Sequence, residues 1–444
     1  MGLTALEIYK NLPKTNCGAC KVPTCLAFAM KIAQMKGSID ECPHASAEVK
    51  AKLSESSAPP IKLVKVGTGE ITVEMGDETV IFRHEKTFFH PTAFAGVVRD
   101  TDTDIGGKVA RIDGMKWERI GMIMSMNLVA VRNDSGDPAR FAAAAKAAAA
   151  ATKLPLVLMS TRPEAVEAAL KEVCSCRPLI HGATRDNIDA MVKLAVSTKL
   201  PLVVSEGSSL EALGALAEKA KAAGVGELVL DFGPQPMSKA IQNATAIRRL
   251  AIKKSNRAFG YPTFLSVKAG EESTLGALGV MKYAGAIAFE ELDPAVMFPL
   301  MTLRQNIYTD PQKPIRVKAG ISDVGGETGP GSPLLFTTNF SLTYFTVEGD
   351  VLKSKVPSRV LVLDTDGLSV MTSFAAGKLT PEMVAKALDE NKLAEKVPSK
   401  TIILPGLVAR MKGKLEELSG WKAVVGPRDS SGIPKFLKEY IGQA

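Results

Sequence analysis

Short apolar runs alternate with helix-forming segments through the middle of the chain. Seven runs have the length of buried strands, at 124–131, 154–160, 177–183, 200–207, 227–233, 262–270 and 285–292. The intervals between them include FAAAAKAAAAATK, EAVEAALKEV, NIDAMVKLAVSTK and LEALGALAEKAKAAG, which are rich in strong helix formers. Seven strand–helix units, with an earlier or later strand as the eighth, predict an α/β chain whose central domain, residues 58–318, is a (β/α)8 TIM-type barrel.

The pattern differs on both sides of this alternation. Before it, IKLVKVGTGEITVEM and ETVIFRHEKTFFHP resemble the strands of a hairpin or small sheet. After it, a glycine- and hydroxyl-rich stretch, GGETGPGSPLLFTTNFSLTYFT, precedes three strand–loop–helix units. These predict a C-terminal doubly wound, Rossmann-like α/β domain over residues 319–444. Because ligands in such domains bind outside the carboxyl ends of the strands, DTDGLSVMTS, LPGL and GPRDSSGIP are expected to line one crevice.

The first 57 residues predict a separate small domain. ALEIYKNL and TCLAFAMKIAQMKG are typical of helices, and SESSAPP at 54–60 is typical of a linker. A unit of fewer than about 70 residues usually needs a staple besides its hydrophobic core. A metal site would supply one.

Composition narrows the class of protein. No stretch approaches the ~18 apolar residues of a membrane helix, and the N-terminus lacks a secretion signal, so a soluble cytoplasmic protein is expected. The net charge of +8 comes from scattered lysines, and aromatic residues make up 5% of the chain, a pattern that does not indicate nucleic-acid binding. Six cysteines in 444 residues are too few for a disulfide scaffold.

Four of these cysteines, Cys17, Cys20, Cys25 and Cys42, have the spacing C-x2-C-x4-C-x16-C. Four thiolates can hold zinc or an iron–sulfur cluster. Zinc ribbons use two separated C-x2-C pairs, whereas here three cysteines crowd one loop, and Gly18 and Ala19 let the backbone approach inorganic sulfide. This favours a 4Fe-4S cluster, with zinc or unligated thiols as alternatives and His44 as a possible replacement ligand.

Other polar positions indicate less. The predicted barrel strands end in Asn133, Asp134, Ser160, Thr161, Glu206, Asp231, Glu290 and Glu291, but such residues also cap the following helix. Cys174 and Cys176 form a C-x-C pair without a nearby third ligand, which favours ordinary barrel residues.

The C-terminal domain lacks a phosphate-binding motif, so a nucleotide is not the first candidate ligand. Small and hydroxylated residues at three strand ends suit a broad ligand with amide groups around its rim, such as a corrin. All four histidines, His44, His84, His90 and His181, precede this domain, and no D-x-H-x-x-G motif is present. A corrinoid here would be base-off without a histidine ligand, which eases reduction to cobalt(I).

CGACKVPTC with Cys42, a barrel, and then GGETGPGSPLLFTTNFSLTYFTVEGD and DTDGLSVMTSFAAGKL together resemble one family over essentially the whole chain. This is the large subunit of the corrinoid/iron-sulfur protein, also described as the gamma subunit of acetyl-CoA decarbonylase/synthase. The resemblance implies a methyl carrier of the methyltransferase type, in which cobalt(I) takes a methyl group from methyltetrahydrofolate and delivers it to acetyl-CoA synthase. The 4Fe-4S cluster would reactivate cobalt(II).

The resemblance also implies partners and site residues. The partners are a small subunit, forming a heterodimer, a methyltetrahydrofolate methyltransferase, acetyl-CoA synthase and, as a further candidate, a reductive activator. Cys17, Cys20, Cys25 and Cys42 would be the cluster ligands, and no side chain is assigned as catalytic because the chemistry takes place on cobalt. A hydroxyl of the loop after DTDG would face cobalt. The implied corrinoid site comprises Thr338, Phe340, Thr343, Thr346, Gly367, Leu368, Ser369, Val370, Met371, Thr372, Ser373, Ala376, Gly377, Pro405, Gly406, Gly432 and Ile433.

Two other functions remain open on the residues alone. In one, the barrel is itself a methyltransferase and the cysteine domain an electron-transfer appendage. In the other, the cysteines hold zinc as a staple and the C-terminal domain is a binding module.

Overall fold

The computed structural model describes residues 5–33, 37, 39–46, 49–50, 59–86, 88, 90–310 and 313–441. The chain divides into two compact units, Met1–Trp117 with Met124–Tyr308, and Glu118–Ile123 with Thr309–Ala444. The predicted linker at 54–60 lies, except for its last two residues, outside the described residues. Within the described part of the chain, no helix is long and apolar enough to cross a membrane.

The cysteine-bearing segment contains two short helices, α1 (Ala5–Asn11) and α2 (Cys25–Ala33), and a 3₁₀ turn at Ile39–Glu41. Both predicted helices are therefore present. Ile8, Phe28, Ile32 and Ile39 are buried together in a small core. The division of residues 1–57 from the rest of the chain as a separate domain stays a prediction.

A two-stranded antiparallel hairpin follows, formed by β1 (Val64–Val66) and β2 (Val73–Met75), as IKLVKVGTGEITVEM predicted. The expectation that ETVIFRHEKTFFHP continues this small sheet is wrong. Arg248 donates hydrogen bonds to the carbonyls of Val80 and Ile81 and pairs with the buried Glu78 carboxylate. Glu78 pairs with Ile61 through an isolated antiparallel bridge, and no strand follows it in the described part of this segment.

Eight parallel strands then close into a barrel, which confirms the predicted central fold. The eighth strand is the earlier one, Ala93–Arg99. The strands between residues 93 and 289 are β3 (Ala93–Arg99), β4 (Lys116–Arg119), β5 (Met122–Ser125), β6 (Leu128–Arg132), β7 (Leu156–Met159), β8 (Leu179–Ala183), β9 (Leu202–Ser205), β10 (Leu228–Asp231), β11 (Thr263–Val267) and β12 (Ala286–Phe289). The barrel uses β3 and β6–β12, in chain order.

Helices alternate with the barrel strands. They are α3 (Ile105–Gly114), α4 (Pro138–Ala151), α5 (Pro163–Val173), α6 (Ile188–Thr198), α7 (Leu210–Ala222), α8 (Met237–Lys253), α9 (Ala277–Met281) and α10 (Pro294–Tyr308). Strands such as β7, β10 and β12 are buried along their whole length. That burial explains why they appear in the sequence as continuous apolar runs rather than alternating ones.

The predicted strand at 124–131 is divided in the structure. Its first residues belong to β5, which pairs with β4 in a separate hairpin, and the barrel strand β6 begins at Leu128. The hairpin turns at Ile120 and Gly121, both with positive φ. A run that looks continuous in the sequence therefore serves two sheets.

The C-terminal unit contains a five-stranded mixed sheet in the order β13-β15-β14-β16-β17. The edge strand β13 is antiparallel to β15, and the other four strands are parallel. The strands are β13 (Gly320–Val324), β14 (Leu334–Thr338), β15 (Ser358–Leu363), β16 (Thr401–Leu404) and β17 (Lys422–Val425). The helices are α11 (Ser341–Ser354), α12 (Val370–Ala375), α13 (Pro381–Glu390), α14 (Leu393–Lys396), α15 (Lys412–Ser419) and α16 (Ile433–Ile441).

Helices cover both faces of this sheet. One apolar core joins Leu335 of β14 to Val351 of α11 and Leu437 of α16. The other joins Phe336 of β14 to Leu415 of α15. β15 and β16 lie on opposite sides of β14 in the sheet. The order in which the strands are added therefore reverses between β14 and β16. This is the position at which open α/β sheets form ligand crevices.

Candidate functional site

A cavity of about 320 Å³ lies at the carboxyl ends of β14 and β16, where the strand order reverses. Apolar side chains form most of its wall, and threonine and serine hydroxyls contribute polar groups. Its described lining residues include no histidine. They are Leu335, Phe336, Thr337, Leu342, Thr343, Thr346, Val347, Ser369, Val370, Met371, Ile403, Leu404, Pro405, Leu407, Gly426, Pro427, Arg428, Asp429, Ser430 and Ile433.

The three predicted loops all reach this cavity. DTDGLSVMTS contributes Ser369, Val370 and Met371, LPGL contributes Leu404, Pro405 and Leu407, and GPRDSSGIP contributes residues 426–430 and 433. Of the individual residues expected to contact a corrinoid, seven line the cavity: Thr343, Thr346, Ser369, Val370, Met371, Pro405 and Ile433. The structure thus brings together residues separated by about a hundred positions in the chain.

Ten of the expected corrinoid residues are outside the cavity lining: Thr338, Phe340, Gly367, Leu368, Thr372, Ser373, Ala376, Gly377, Gly406 and Gly432. Ser373 is fully buried, and its hydroxyl donates to the carbonyls of Ser369 and Val370 at the start of α12. A Cβ on Gly406 would lie 2.8 Å from the backbone nitrogen of Arg428. Ser373 and Gly406 thus have structural roles beside the cavity; contacts of these ten residues with a corrinoid stay predictions.

Asn339, which the sequence did not single out, organises the loop after β15. It is buried, and its Oδ1 accepts hydrogen bonds from the backbone N–H groups of Thr365 and Gly367, while its Nδ2 donates to Asp364. Gly367 has φ +73°, a left-handed conformation that glycine adopts without strain. Asn339 and Gly367 therefore set the turn that leads to Ser369.

Charges near this loop are paired. Asp366 forms ion pairs with Lys378 and Arg316. Both cations lower the pKa of the Asp366 carboxyl, and Lys378 has the larger effect. Among the described lining residues, Arg428 is the basic one and Asp429 the acidic one, and neither is buried. The buried wall is consequently uncharged, which suits an apolar or hydrogen-bonding ligand group better than a naked ion.

The four cysteines of the N-terminal segment lie around its small core. Cys20, Cys25 and Cys42 are buried in one apolar cluster, and Cys17 is exposed. The backbone N–H of Cys25 donates to Asn16 Oδ1 at 2.8 Å, and the Asn16 N–H donates to Cys25 Sγ at 3.4 Å. Residues with positive φ, including Gly18 at +72°, curve the loop between Cys17 and Cys25.

The donor chemistry of this loop suits a metal–sulfur group. Hydrogen bonds from the Ala19 backbone N–H and, to a smaller extent, the Thr15 side chain lower the pKa of the Cys17 thiol. A lower pKa favours the thiolate, which is the form that binds metal. Within the described residues, no three histidine, cysteine or carboxylate side chains stand in metal-binding geometry. Ligation by the four cysteines therefore stays a prediction.

Several polar residues at the carboxyl ends of the barrel strands form hydrogen bonds within the barrel. Asn133 Nδ2 donates to Ser160 Oγ at 2.9 Å, and His181 Nε2 lies 3.0 Å from Asp231 Oδ2. Asp231 also accepts from the Gly233 N–H. Asn133, Ser160 and Asp231 therefore have structural partners. Cys174 and Cys176 lie on a 3₁₀ turn before β8 as free thiols.

Comparisons with known proteins cover the whole chain. A family model described as "CO dehydrogenase/acetyl-CoA synthase delta subunit" matches residues 63–437, and one described as "Putative Fe-S cluster" matches residues 12–44. The corrinoid/iron-sulfur protein large subunit of Moorella thermoacetica is 46% identical over 443 residues, covering 99% of each chain. The acetyl-CoA decarbonylase/synthase complex subunit gamma of Methanothermobacter thermautotrophicus is 37% identical over 460 residues, covering 100% of each chain.

Among solved structures, dihydropteroate synthase from Thermus thermophilus matches 49% of this chain and 95% of its own, at 18% identity and a TM-score of 0.38. The full-length relatives are far more similar. Together with the domain order and the cysteine motif, they show that this chain belongs to the family of the corrinoid/iron-sulfur protein large subunit and the gamma subunit of acetyl-CoA decarbonylase/synthase.

Proposed function

We propose that this protein is a corrinoid methyl carrier of the acetyl-CoA pathway, which accepts a methyl group from methyltetrahydrofolate through a methyltransferase and delivers it to acetyl-CoA synthase. When bound, the corrinoid supplies a cobalt that accepts and releases the methyl group, and a 4Fe-4S cluster supplies single electrons that restore the reactive cobalt state. The chain's own residues bind these groups and keep competing ligands away from them.

The cavity at the β14–β16 reversal is the observation that carries this proposal. Three loops meet there, as in a Rossmann-like binding domain, and hydroxyls of Thr343, Thr346 and Ser369 stand among apolar side chains. The hydroxyls fit the amides of a corrin rim, and the apolar wall fits its carbon skeleton. Residues 309–444 contain no histidine, so this unit offers cobalt no imidazole ligand, and a corrinoid bound base-off here would receive no imidazole in place of its own base.

The corrinoid is larger than the cavity and would extend beyond it. Exposed apolar side chains surround the opening, with Leu342 47% exposed, Met371 54% and Leu407 36%. Apolar groups at such a rim are suited to being covered by a ligand or partner. This supports a heterodimer with a small subunit, as the name "large subunit" of the Moorella thermoacetica relative suggests.

The cysteine segment fits the electron-supplying role. Three of its four thiols are buried in one small core, and an Fe-S family model matches residues 12–44. A buried cluster site limits access of solvent and oxidants to the thiolates. Cys17, Cys20, Cys25 and Cys42 would hold the cluster.

A labelled-methyl experiment tests the proposal. The full chain, purified anaerobically with its small subunit, is reduced and given methyl-labelled methyltetrahydrofolate with and without the separate methyltransferase. Label is expected on the protein-bound corrinoid only when the methyltransferase is present, and acetyl-CoA synthase is expected to remove it. Equal labelling without the methyltransferase would support the rival function in which the barrel itself is the methyltransferase.

A further inference from the structure

Thr337, at the carboxyl end of β14, carries a buried hydroxyl without a partner. The residue is 1% exposed and lines the cavity, and its Oγ1 has no hydrogen-bond partner within the described residues. Buried polar groups in folded proteins almost always have a partner, so an orphan at a cavity wall indicates a group that a ligand completes. The corrinoid residues expected from the sequence did not include Thr337.

The surroundings of this hydroxyl define the ligand group. Thr337 lies on the same face of β14 as Leu335, and the wall around it includes Ile403 and Val347. Arg428, the basic lining residue, is not buried, so an anion at the buried wall would lack a charge partner. An uncharged, mainly apolar group with one hydrogen-bond acceptor fits this wall.

We infer that Thr337 donates a hydrogen bond to the free ring nitrogen of the corrinoid's lower base, and so favours cobamides whose base carries such a nitrogen. This inference rests on the proposed function. In a base-off cobamide the nitrogen that would bind cobalt keeps its lone pair, and a planar aromatic base is apolar apart from that atom. Burying this acceptor requires a donor, and the Thr337 hydroxyl is a donor that lacks an acceptor.

The test compares three probes, cobalamin, phenolyl cobamide and cobinamide, on the full chain with its small subunit. Cobalamin has a base with a ring nitrogen, phenolyl cobamide a base without one, and cobinamide no base. The variants are Thr337→Val, which removes the hydroxyl, Thr337→Ser, which keeps it, and Thr302→Val. Thr302 Oγ1 is likewise buried without a hydrogen-bond partner, but Thr302 lies on α10, away from the cavity lining. Thr302→Val therefore controls for the loss of a buried hydroxyl that no ligand contacts.

The measured quantity is the ratio of the Kd values for phenolyl cobamide and cobalamin. Any cost of detaching the base from cobalt is the same for every variant and cancels in the comparison. Thr337→Val is expected to lower this ratio about five- to tenfold relative to wild type, whereas Thr337→Ser and Thr302→Val keep it. Cobinamide affinity is expected to be the same in all four proteins.

Thermal unfolding of the ligand-free proteins separates binding from folding. Because the hydroxyl is unpaired, Thr337→Val is expected to be at least as stable as wild type. An unchanged Kd ratio in a folded Thr337→Val protein overturns the inference and leaves the corrinoid site intact. If wild type retains none of the three probes, the proposed function fails and the inference fails with it.

Discussion

Replacing Gly406 with alanine tests the packing that shapes the cavity. Gly406 follows Pro405 at the end of β16, and its N–H donates to the Pro427 carbonyl at 3.0 Å. An alanine Cβ would lie 2.7 Å from the Gly426 carbonyl oxygen and 2.8 Å from both the Pro427 carbonyl carbon and the Arg428 nitrogen. These atoms are backbone and cannot rotate away, so the loop after β17 must move.

The size of the effect follows from this overlap. Overpacking of this kind costs about 1–3 kcal/mol, and the lower entropy of alanine in the unfolded chain offsets about 0.4–1 kcal/mol. A net loss of about 1–2 kcal/mol is expected. For a domain of this size that lowers the Tm by about 3–8 °C. Since Pro405, Pro427 and Arg428 line the cavity, weaker corrinoid retention is also expected.

Gly413 supplies a matched control. It lies within α15, and a Cβ there would meet no atom within 4 Å. Gly413→Ala is therefore expected to raise stability by about 0.5–1 kcal/mol, because alanine favours a helix. Calorimetry of both variants and corrinoid retention after gel filtration are the assays. If Gly406→Ala matches Gly413→Ala in stability and retention, the close backbone approach is not a constraint on the site.

Three further substitutions test the cysteine segment, the rim of the cavity and the barrel. Cys20→Ala should remove cluster iron and reductive reactivation while prereduced protein still transfers methyl; simultaneous loss of both would refute separate roles. Met371→Ala should weaken corrinoid retention without changing Tm, whereas the similarly exposed Leu352→Ala should change neither; equal retention by both would remove Met371 from the site. Arg304→Met should destabilise the barrel by about 2–4 kcal/mol in urea unfolding, since it removes the guanidinium hydrogen bonds to the Thr92 and Ser125 carbonyls and one of the two donors to Asn127 Oδ1. A loss below about 1 kcal/mol would contradict this.

The barrel could be predicted because its strands consist mainly of apolar residues and strong helix formers separate most of them. Strand β3 was harder to identify, since Gly96 interrupts its run of larger side chains. A Cβ at Gly96 would lie 2.7 Å from Ile112 of α3 and 2.8 Å from Leu292, so this glycine lets other elements pack closely on the strand. Such close packing has no local signature in the sequence.

The residues of the candidate site likewise include some that the sequence predicted and some that it did not. Loops rich in glycine, serine and proline pointed to the crevice, and Ser369, Pro405 and Ile433 do line it. Leu335 and Ile403 were not predicted because apolar strand residues at a cavity wall have the same composition as core residues. Asn339 acts through backbone groups 26 and 28 positions away, as a buried partner of Thr365 and Gly367, which only the folded chain brings together.

The segment after β2 is irregular although its sequence favours a strand. ETVIFR has the composition of a strand, yet its carbonyls at Val80 and Ile81 bond to Arg248, 168 and 167 positions away. Arg248 in turn stacks over Phe88 and Tyr283. Hydrogen bonds from Arg248, which is distant in sequence, thus take the place of strand pairing at these carbonyls, despite the local preference for a strand.

The absorption spectrum of the anaerobically purified full chain, read together with its iron and cobalt contents, shows whether the protein holds both a corrinoid and an iron–sulfur cluster. We expect broad sulfur-to-iron absorption together with corrinoid bands that change when a strong reductant is added. Iron and cobalt should be present in the proportions of one 4Fe-4S cluster and one corrinoid. A protein that contains zinc but neither iron nor cobalt, and that shows no corrinoid bands after reconstitution, would contradict the account.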